Sequence, residues 1–353
     1  MGLRDLMALR RLQREGMPMT LEAALLADTA SLLVALESWL PLRGSTTATY
    51  VVRSRQQNEA AGFIQARQRL GRPEADLLYI APAPCTEATA PLWEQLLASV
   101  ASWAGMQGLL RLYASAPADS AEEAALRRSG YLRYAADTVF RLEKLPEPLP
   151  PLSQSLLRPQ KQRDVWGLQR LYAAITPLRV QQAEGLIHNG WGVPTSDWNG
   201  QAWTKSLVLE DSNGLQAHLG LRRGRRGHYF RLLTRAELAD RQGELLVEAL
   251  TTLAQWPPLP IYCSVRHYQN GLARHLQELG FVPFQERALT VRHAVLSVRP
   301  ALEEVVLKLQ GTVGAGCSSS IGDNGKTADG SAALAVFIPS ALEQEYDKVP
   351  DYR

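Results

Sequence analysis

A chain of 353 residues, 46 % of them hydrophobic, has enough material for two domains of ordinary size, each with its own core. A formal charge of +3 is too near balance to draw the whole chain to nucleic acid or to an anionic membrane surface, so neither is an expected partner. The three cysteines, Cys85, Cys263 and Cys317, are odd in number, far apart and without CxxC or Cys/His spacing; no disulfide framework and no metal site is expected, and a reducing cytoplasm fits.

The opening, "MGLRDLMALRRLQREGMPM", is broken by charge every few residues and lacks the apolar core of a secretion signal. Leu6 stands where N-myristoylation wants Ser or Thr. No run of about 18 apolar residues follows, so no transmembrane helix is expected. Leu3, Leu6, Met7 and Leu9 make one helical face, and 21–40 makes a second helix, closed by Pro41. Strands are predicted at 47–55, 60–70 and 75–83, then a helix at 89–106 with Pro91 in its first turn, where a missing N–H costs little. An apolar strand at 108–115 leads to a helix at 119–130, with Asp119 or Ser120 as N-cap and Gly130 as stop. Two last strands, "YLRY" and "DTVFRLEK", close this half.

"KLPEPLPPLSQSLL" (144–157) contains Pro146, Pro148, Pro150 and Pro151, which lack donors and fix φ; it reads as a semi-rigid spacer. The domain boundaries are therefore set at 1–144, 145–155 for the linker, and 156–299. The second half runs through a short strand at 156–161, helices at 163–175 and 177–191, and strands at 205–211, 214–223 and 227–234. A helix at 240–256, with Asp240 as N-cap, a strand at 260–265, a helix at 270–280 and closing strands at 281–298 complete it. The same order appears twice, which indicates an internal duplication. Residues 300–353 read as a helix followed by a flexible tail, Gly/Ser-rich over 311–333. Its "GKT" (325–327) is no phosphate loop, because Ser320 stands where the required Gly would be.

One phrase also recurs: "LRRSGYLRYAADTVFRLE" (126–143) and "LQELGFVPFQERALTVRH" (276–293). Each runs a helix into Gly-aromatic and then into a strand. On these residues and this element order, both halves resemble the GNAT superfamily of acyl-CoA-dependent N-acyltransferases. The resemblance covers roughly 1–144 and 156–299 and implies an α/β fold with a mixed sheet, used in tandem. The phrase itself builds a corner: Gly takes a left-handed conformation at a helix end and the aromatic behind it packs inward.

In that family the fourth and fifth strands splay apart around acyl-CoA, and the pyrophosphate sits on amides at the start of the following helix. The family's loop is written Arg or Gln, two residues, Gly, one residue, Gly or Ala. The first half has "APAPCTEATAPLW" (81–93) there, with no Gly, three prolines (Pro82, Pro84, Pro91) and the acidic Glu87. The second half has "LLTRAELADRQGELL" (232–246), with Arg235, Arg241 and Gly243, although Glu237 and Asp240 compete. The resemblance therefore assigns acetyl-CoA, if it binds, to Leu232, Leu233, Arg235, Arg241, Gln242, Gly243 and Asn270 of the second half.

The family's usual acid, a Tyr four residues before the Gly-aromatic pair, is replaced by Leu126 and Leu276. "VRHYQNG" (265–271) offers Tyr268 as candidate catalytic acid, with His267 and Asn270 beside it. No general base stands out among His218, His228, Glu210 and Asp211. The basic tip "LRRGRRGHY" (221–229) reads first as solvated charge. Trp191, Trp198 and Trp203 fit an acceptor pocket or a domain interface equally well. Two functions follow: an acetyl-CoA-dependent N-acetyltransferase acting on an amine of a small molecule or a protein, or an inactive tandem GNAT-like binding protein with degenerate CoA loops.

Overall fold

A computed structural model describes residues 9–21, 26, 46–53, 60–69, 71–152, 154–185, 204–269 and 271–293. Most of the helix expected at 21–40, the three tryptophans of 191–203, Asn270 and the tail from 294 on lie outside the described residues.

The first half starts with β1 (Met17–Pro18), then β2 (Thr47–Arg53), β3 (Ala60–Gln68) and β4 (Glu74–Ala81). Helix α1 (Ala90–Met106), β5 (Arg111–Pro117), α2 (Ala121–Arg128) and β6 (Leu132–Leu142) follow. The second half has β7 (Arg158–Pro159), α3 (Val165–Ile175), α4 (Leu178–Ala183), β8 (Lys205–Asp211), β9 (Gly214–Arg223) and β10 (His228–Thr234). It ends with α5 (Gln242–Leu253), β11 (Ile261–Arg266), α6 (Leu272–Glu278) and β12 (Val282–His293). The order β-β-β-α-β-α-β is thus written twice.

Each half builds a core by laying its long helix on its strands. On α1 the buried residues Trp93, Leu96, Leu97, Val100 and Ala104 recur at helical spacing and pack on Ile64, Leu77 and Ile80. On α5 the same role falls to Leu245, Leu246, Ala249, Leu250 and Leu253, over Leu219, Leu221, Phe230 and Leu232. Each such leucine contributes about 1.5–3 kcal/mol of hydrophobic stabilisation.

The corner phrase behaves as expected. Gly130 has φ +84° and Gly280 φ +88°, conformations a Cβ opposes. Tyr131 is buried in the first core; Phe281 is buried in the second, edge-on to Phe230 with ring centroids 5.9 Å apart. Ser120, rather than Asp119, caps α2: its side chain accepts from the Glu123 N–H.

The strands form one sheet through both halves, in the order β2-β3-β4-β5-β12-β6-β11-β10-β9-β8-β7, with β1 beside β4. The halves have exchanged their last strands. β12 lies against β5 of the first half, and β6 lies against β11 of the second, where Phe140 and Leu142 enter the second core. β6 and β12 run antiparallel about a local twofold: Asp137 faces Arg287, and the pairs Thr138–Glu286 and Ala136–Ala288 flank them symmetrically. Asp137 and Arg287 are each the seventh residue after their corner glycine, so the axis passes between equivalent positions.

The two strands expected at "YLRY" and "DTVFRLEK" are therefore one continuous strand, β6, because it has a neighbour to pair with along its whole length. The proline segment does not stand off as a spacer. Leu145, Leu149, Leu156 and Leu157 pack on the second core, and the buried Glu248 of α5 accepts from the Leu156 and Leu157 N–H groups at 3.0 and 3.2 Å. No described helix is long and apolar enough to cross a membrane.

Candidate functional site

Parallel strands that stay side by side hydrogen-bond along their full length. Here two pairs do not. β4 and β5 are in register only over Glu74–Arg111, Ala75–Leu112 and Asp76–Tyr113; β10 and β11 only over His228–Ile261, Tyr229–Tyr262 and Phe230–Cys263. Beyond these positions the strands part, which leaves main-chain donors and acceptors facing an opening in each half.

One residue spans each opening, and the two residues do so with different groups. In the first half the group is main chain. The Met19 N–H donates to Leu78 O at 3.0 Å, and Met19 O accepts from the Ser115 N–H at 2.7 Å. Strand β1 just before it pairs with Tyr79 and Ile80, and the Ala83 N–H donates to Glu15 O at 2.6 Å. The fit has no slack: a Cβ on Gly16 would lie 2.3 Å from the Tyr79 ring. Residues 15–19 close this opening from one strand to the other.

In the second half the spanning amide is a side chain. Gln269 donates from Nε2 to Leu232 O at 2.8 Å, and its Oε1 accepts from the Arg266 N–H at 2.9 Å. Gln269 lies inside the quoted "VRHYQNG", yet its importance was invisible there, because a turn glutamine has no sequence signature of its own.

The loop after β10 differs from expectation. Residues Ala236–Arg241 form a tight 3-10 turn, and α5 begins only at Gln242, so its N-cap is Arg241 and not Asp240. The tighter turn uses up one rung of amides, such as the Leu238 N–H bonded to Arg235 O at 3.1 Å. Arg235 Nε donates to Leu215 O at 3.4 Å, and exposed Arg241 pairs with Glu244 at 3.3 Å. Gln242 is buried and donates to Thr234 Oγ1 at 3.0 Å. Gly243 has room beside it, with His275 Nδ1 3.7 Å from an added Cβ. Leu232 and Leu233 are buried on β10, and Leu232 O is the acceptor that Gln269 occupies. Leu232 and Gln269 thus meet in the split and Gln242 is bonded to Thr234 at the end of β10, whereas Arg235 and Arg241 stand on the loop with partners of their own.

Tyr268 lines a pocket of about 390 Å³ beyond the end of β11, together with His267, Arg133, Tyr134 and Arg179. Burial raises its phenol pKa, against the pull of Arg266 and Arg231, and Thr176 is a hydrogen-bond partner. A separate cavity of about 40 Å³ at the junction of the halves, lined by Asp137, Arg231 and Arg266 among others, has room for little more than water.

Behind the pocket lies a buried ionic cluster. Arg266 Nε sits 2.8 Å from Asp137 Oδ1 across the exchanged strands, and its Nη2 sits 3.3 Å from Glu184 Oε1. Glu184 also accepts from the Tyr172 hydroxyl. Burial pushes the Glu184 carboxyl up to about 7, more than the guanidinium of Arg266 pulls it down. Across the junction, Tyr113 donates to Ala183 O at 2.9 Å, and Gly185 (φ +69°) brings its backbone where a Cβ would meet Glu74 Oε1 at 2.5 Å. The end of α4 is thereby docked on the first half.

Each candidate base is buried or already holds a hydrogen-bond partner. His218 is buried, bonded to Ser206 Oγ at 2.8 Å, and its pKa is lowered to about 4 by burial. His228 Nε2 is 2.8 Å from Pro257 O. Glu210 pairs with Arg158, and Asp211 Oδ1 accepts from Asn213 and Gln216. In the basic tip Arg222 is buried, so only Arg223, Arg225 and Arg226 face solvent.

No protein-family model matches this chain, and no curated protein sequence matches it. Solved structures do. A GCN5-related N-acetyltransferase from Sphaerobacter thermophilus is 16 % identical over 82 % of this chain and 93 % of its own, with a TM-score of 0.50. A tandem GNAT protein from the clavulanic acid biosynthesis pathway is 17 % identical over 83 % of this chain and 94 % of its own, with a TM-score of 0.48. Likeness at such identity is likeness of fold. The Sphaerobacter structure spans both halves, the strand split occurs in each, and the element order repeats on either side of the proline segment: this chain carries the GNAT fold twice, in tandem, on one shared sheet.

Proposed function

We propose that the chain is an acyl-CoA-dependent N-acyltransferase that takes its donor, acetyl-CoA in the simplest case, in the second half. The observation that carries this reading is the difference between the two openings. Main chain closes the first; a single carboxamide, removable by side-chain rotation, spans the second. Leu232 O and the Arg266 N–H already hold an amide, and the pantetheine arm of CoA carries amides that can make the same two bonds. Arg235 and Arg241 supply positive charge on the adjoining loop, Gly243 leaves space there, and Asn270, next in sequence to Gln269, completes the set.

Bound there, an acyl-CoA supplies a thioester whose carbonyl an amine can attack as the thiolate leaves. Tyr268 is the proton donor in this reading. Its raised pKa keeps the hydroxyl protonated near neutral pH, the state an acid must be in before it acts. The acceptor is an amine of a small molecule or a protein. The first half contributes β6, whose Asp137 holds Arg266 at the end of β11.

Calorimetric titration of acetyl-CoA into the full chain tests the proposal. One site is expected. Arg235→Ala or Arg241→Ala should weaken it by about 1–3 kcal/mol, the range for losing a charge-assisted hydrogen bond. Glu87→Ala in the first loop should leave it unchanged. Absence of binding would sink the reading in favour of a non-catalytic tandem.

A further inference from the structure

The pocket beside Tyr268 is lined by two arginines and two tyrosines. β11 ends at Arg266, opposite Asp137, but β6 runs on to Leu132. Past that point β11 contributes only the His267 N–H, bonded to Ala136 O at 3.3 Å. The edge of β6 from Arg133 to Ala135 is therefore the floor of a pocket, α4 is one wall, and the turn carrying His267 and Tyr268 is the other. Its volume of about 390 Å³ lies in the range of small-molecule sites.

Positive charge gathers here. Arg133 and Arg179 both line the space and both are exposed to it. Arg179 has no ion pair or hydrogen bond among the described residues. Arg133 is shared with Asp119 and Glu123, each at a loose 3.5 Å. Glu184, the residue that follows α4, is turned into the protein against Tyr172 and Arg266 and does not line the pocket. Two arginines lining one open pocket make it favourable to an anion. The rings of Tyr134 and Tyr268 bound the remaining space and suit the apolar part of a small molecule.

We propose that this pocket binds the anionic group of a small molecule, a carboxylate or a phosphate, between Arg133 and Arg179. Resting on the acyltransferase reading, the inference also names the acceptor class: an amine that carries such an anion, rather than a polyamine or a neutral amine. Arg179 is then a specificity-determining residue.

The test uses the full chain and three probes with the same aminoethyl unit: β-alanine, phosphoethanolamine and ethanolamine. Binding is read by ligand-observed NMR at millimolar probe concentrations, without CoA. At least one anionic probe should bind about ten-fold or more tightly than ethanolamine, the effect of one charge-assisted bond. Which of the two binds better identifies the anion. Arg179→Glu should abolish the preference and Arg179→Lys should keep part of it; the site is exposed, so melting temperatures should match and serve as the control. Equal binding of all three, no binding of any, or a preference that survives Arg179→Glu would overturn the proposal. Acetyl-CoA titrated into the same samples separates the two readings: donor binding without anion preference sinks only this inference, and anion preference without donor binding sinks only the acyltransferase.

Discussion

Gln269 and Glu184 are the residues whose environments make the sharpest demands. Gln269 satisfies one acceptor and one donor that the parted strands leave open. Gln269→Ala should cost about 1–3 kcal/mol in urea unfolding, the penalty for stranding two partly buried groups. The same change should tighten acetyl-CoA binding, because the ligand no longer displaces a side chain; weaker binding would mean that Gln269 holds the donor instead of standing in for it. Glu184 titrates in the opposite sense to an ordinary paired carboxylate. Its folded pKa, about 7, lies above its unfolded value, so its contribution is fully present below about pH 4.5 and is lost as pH rises to 7. His218, held neutral with a pKa near 4, acts in reverse and loses stability as pH falls below its unfolded value. The comparison of wild type with Glu184→Gln removes that background. The difference should shift against wild type between pH 5 and pH 7 and level off above; a shift in its favour would show that Arg266 outweighs burial.

At the scale of elements, the strand exchange explains why each closing strand tolerates sequence that looks discontinuous. Ala135 and Ala136 split β6 into two on propensity alone, yet both lie opposite β12, at Leu289 and Ala288. A strand with a partner along its whole length depends less on its own propensity than an isolated one. The corners that launch these strands were legible, since a glycine stop followed by an aromatic is a local signal. Gly130→Ala and Gly280→Ala should each destabilise by about 1–2 kcal/mol, the cost of a Cβ in left-handed backbone. Neither site adds a steric clash, with nearest atoms 3.7 and 3.6 Å from the added carbon, so chemical denaturation should give similar values for both. The start of α5 was not legible, because Asp240 is as good a cap as any; only the packed 3-10 turn before it decides that the helix begins at Gln242.

For the whole molecule, the duplication suggests two domains that melt separately, and the structure argues for one transition. Both halves belong to one compact unit, the sheet passes through both, and each half lends the other its last strand. Leu96→Ala in the first core and Leu250→Ala in the second remove fully buried side chains and should each cost about 2–5 kcal/mol. Calorimetry should show one endotherm that moves down in both variants. An endotherm that splits, with only one component responding to each change, would show that the halves unfold independently.

The sequence by itself determined the repeated element order, the two glycine corners, the existence of α1 and α5, and the three prolines and absent glycine of the segment after β4. All of these are written in residues near one another along the chain, through periodicity, capping and the absence of N–H groups in proline. Only the tertiary structure decided what spans each strand opening, which half owns each closing strand, and that Arg133 of one half lines the same pocket as Arg179 of the other. These depend on main-chain hydrogen bonds, which any residue but proline can donate, and on encounters between distant segments. Met19 reaches Leu78 and Ser115 through main-chain atoms that every amino acid but proline possesses. No local pattern marks such a contact, so the fold could be read along the chain while the site had to be assembled across it.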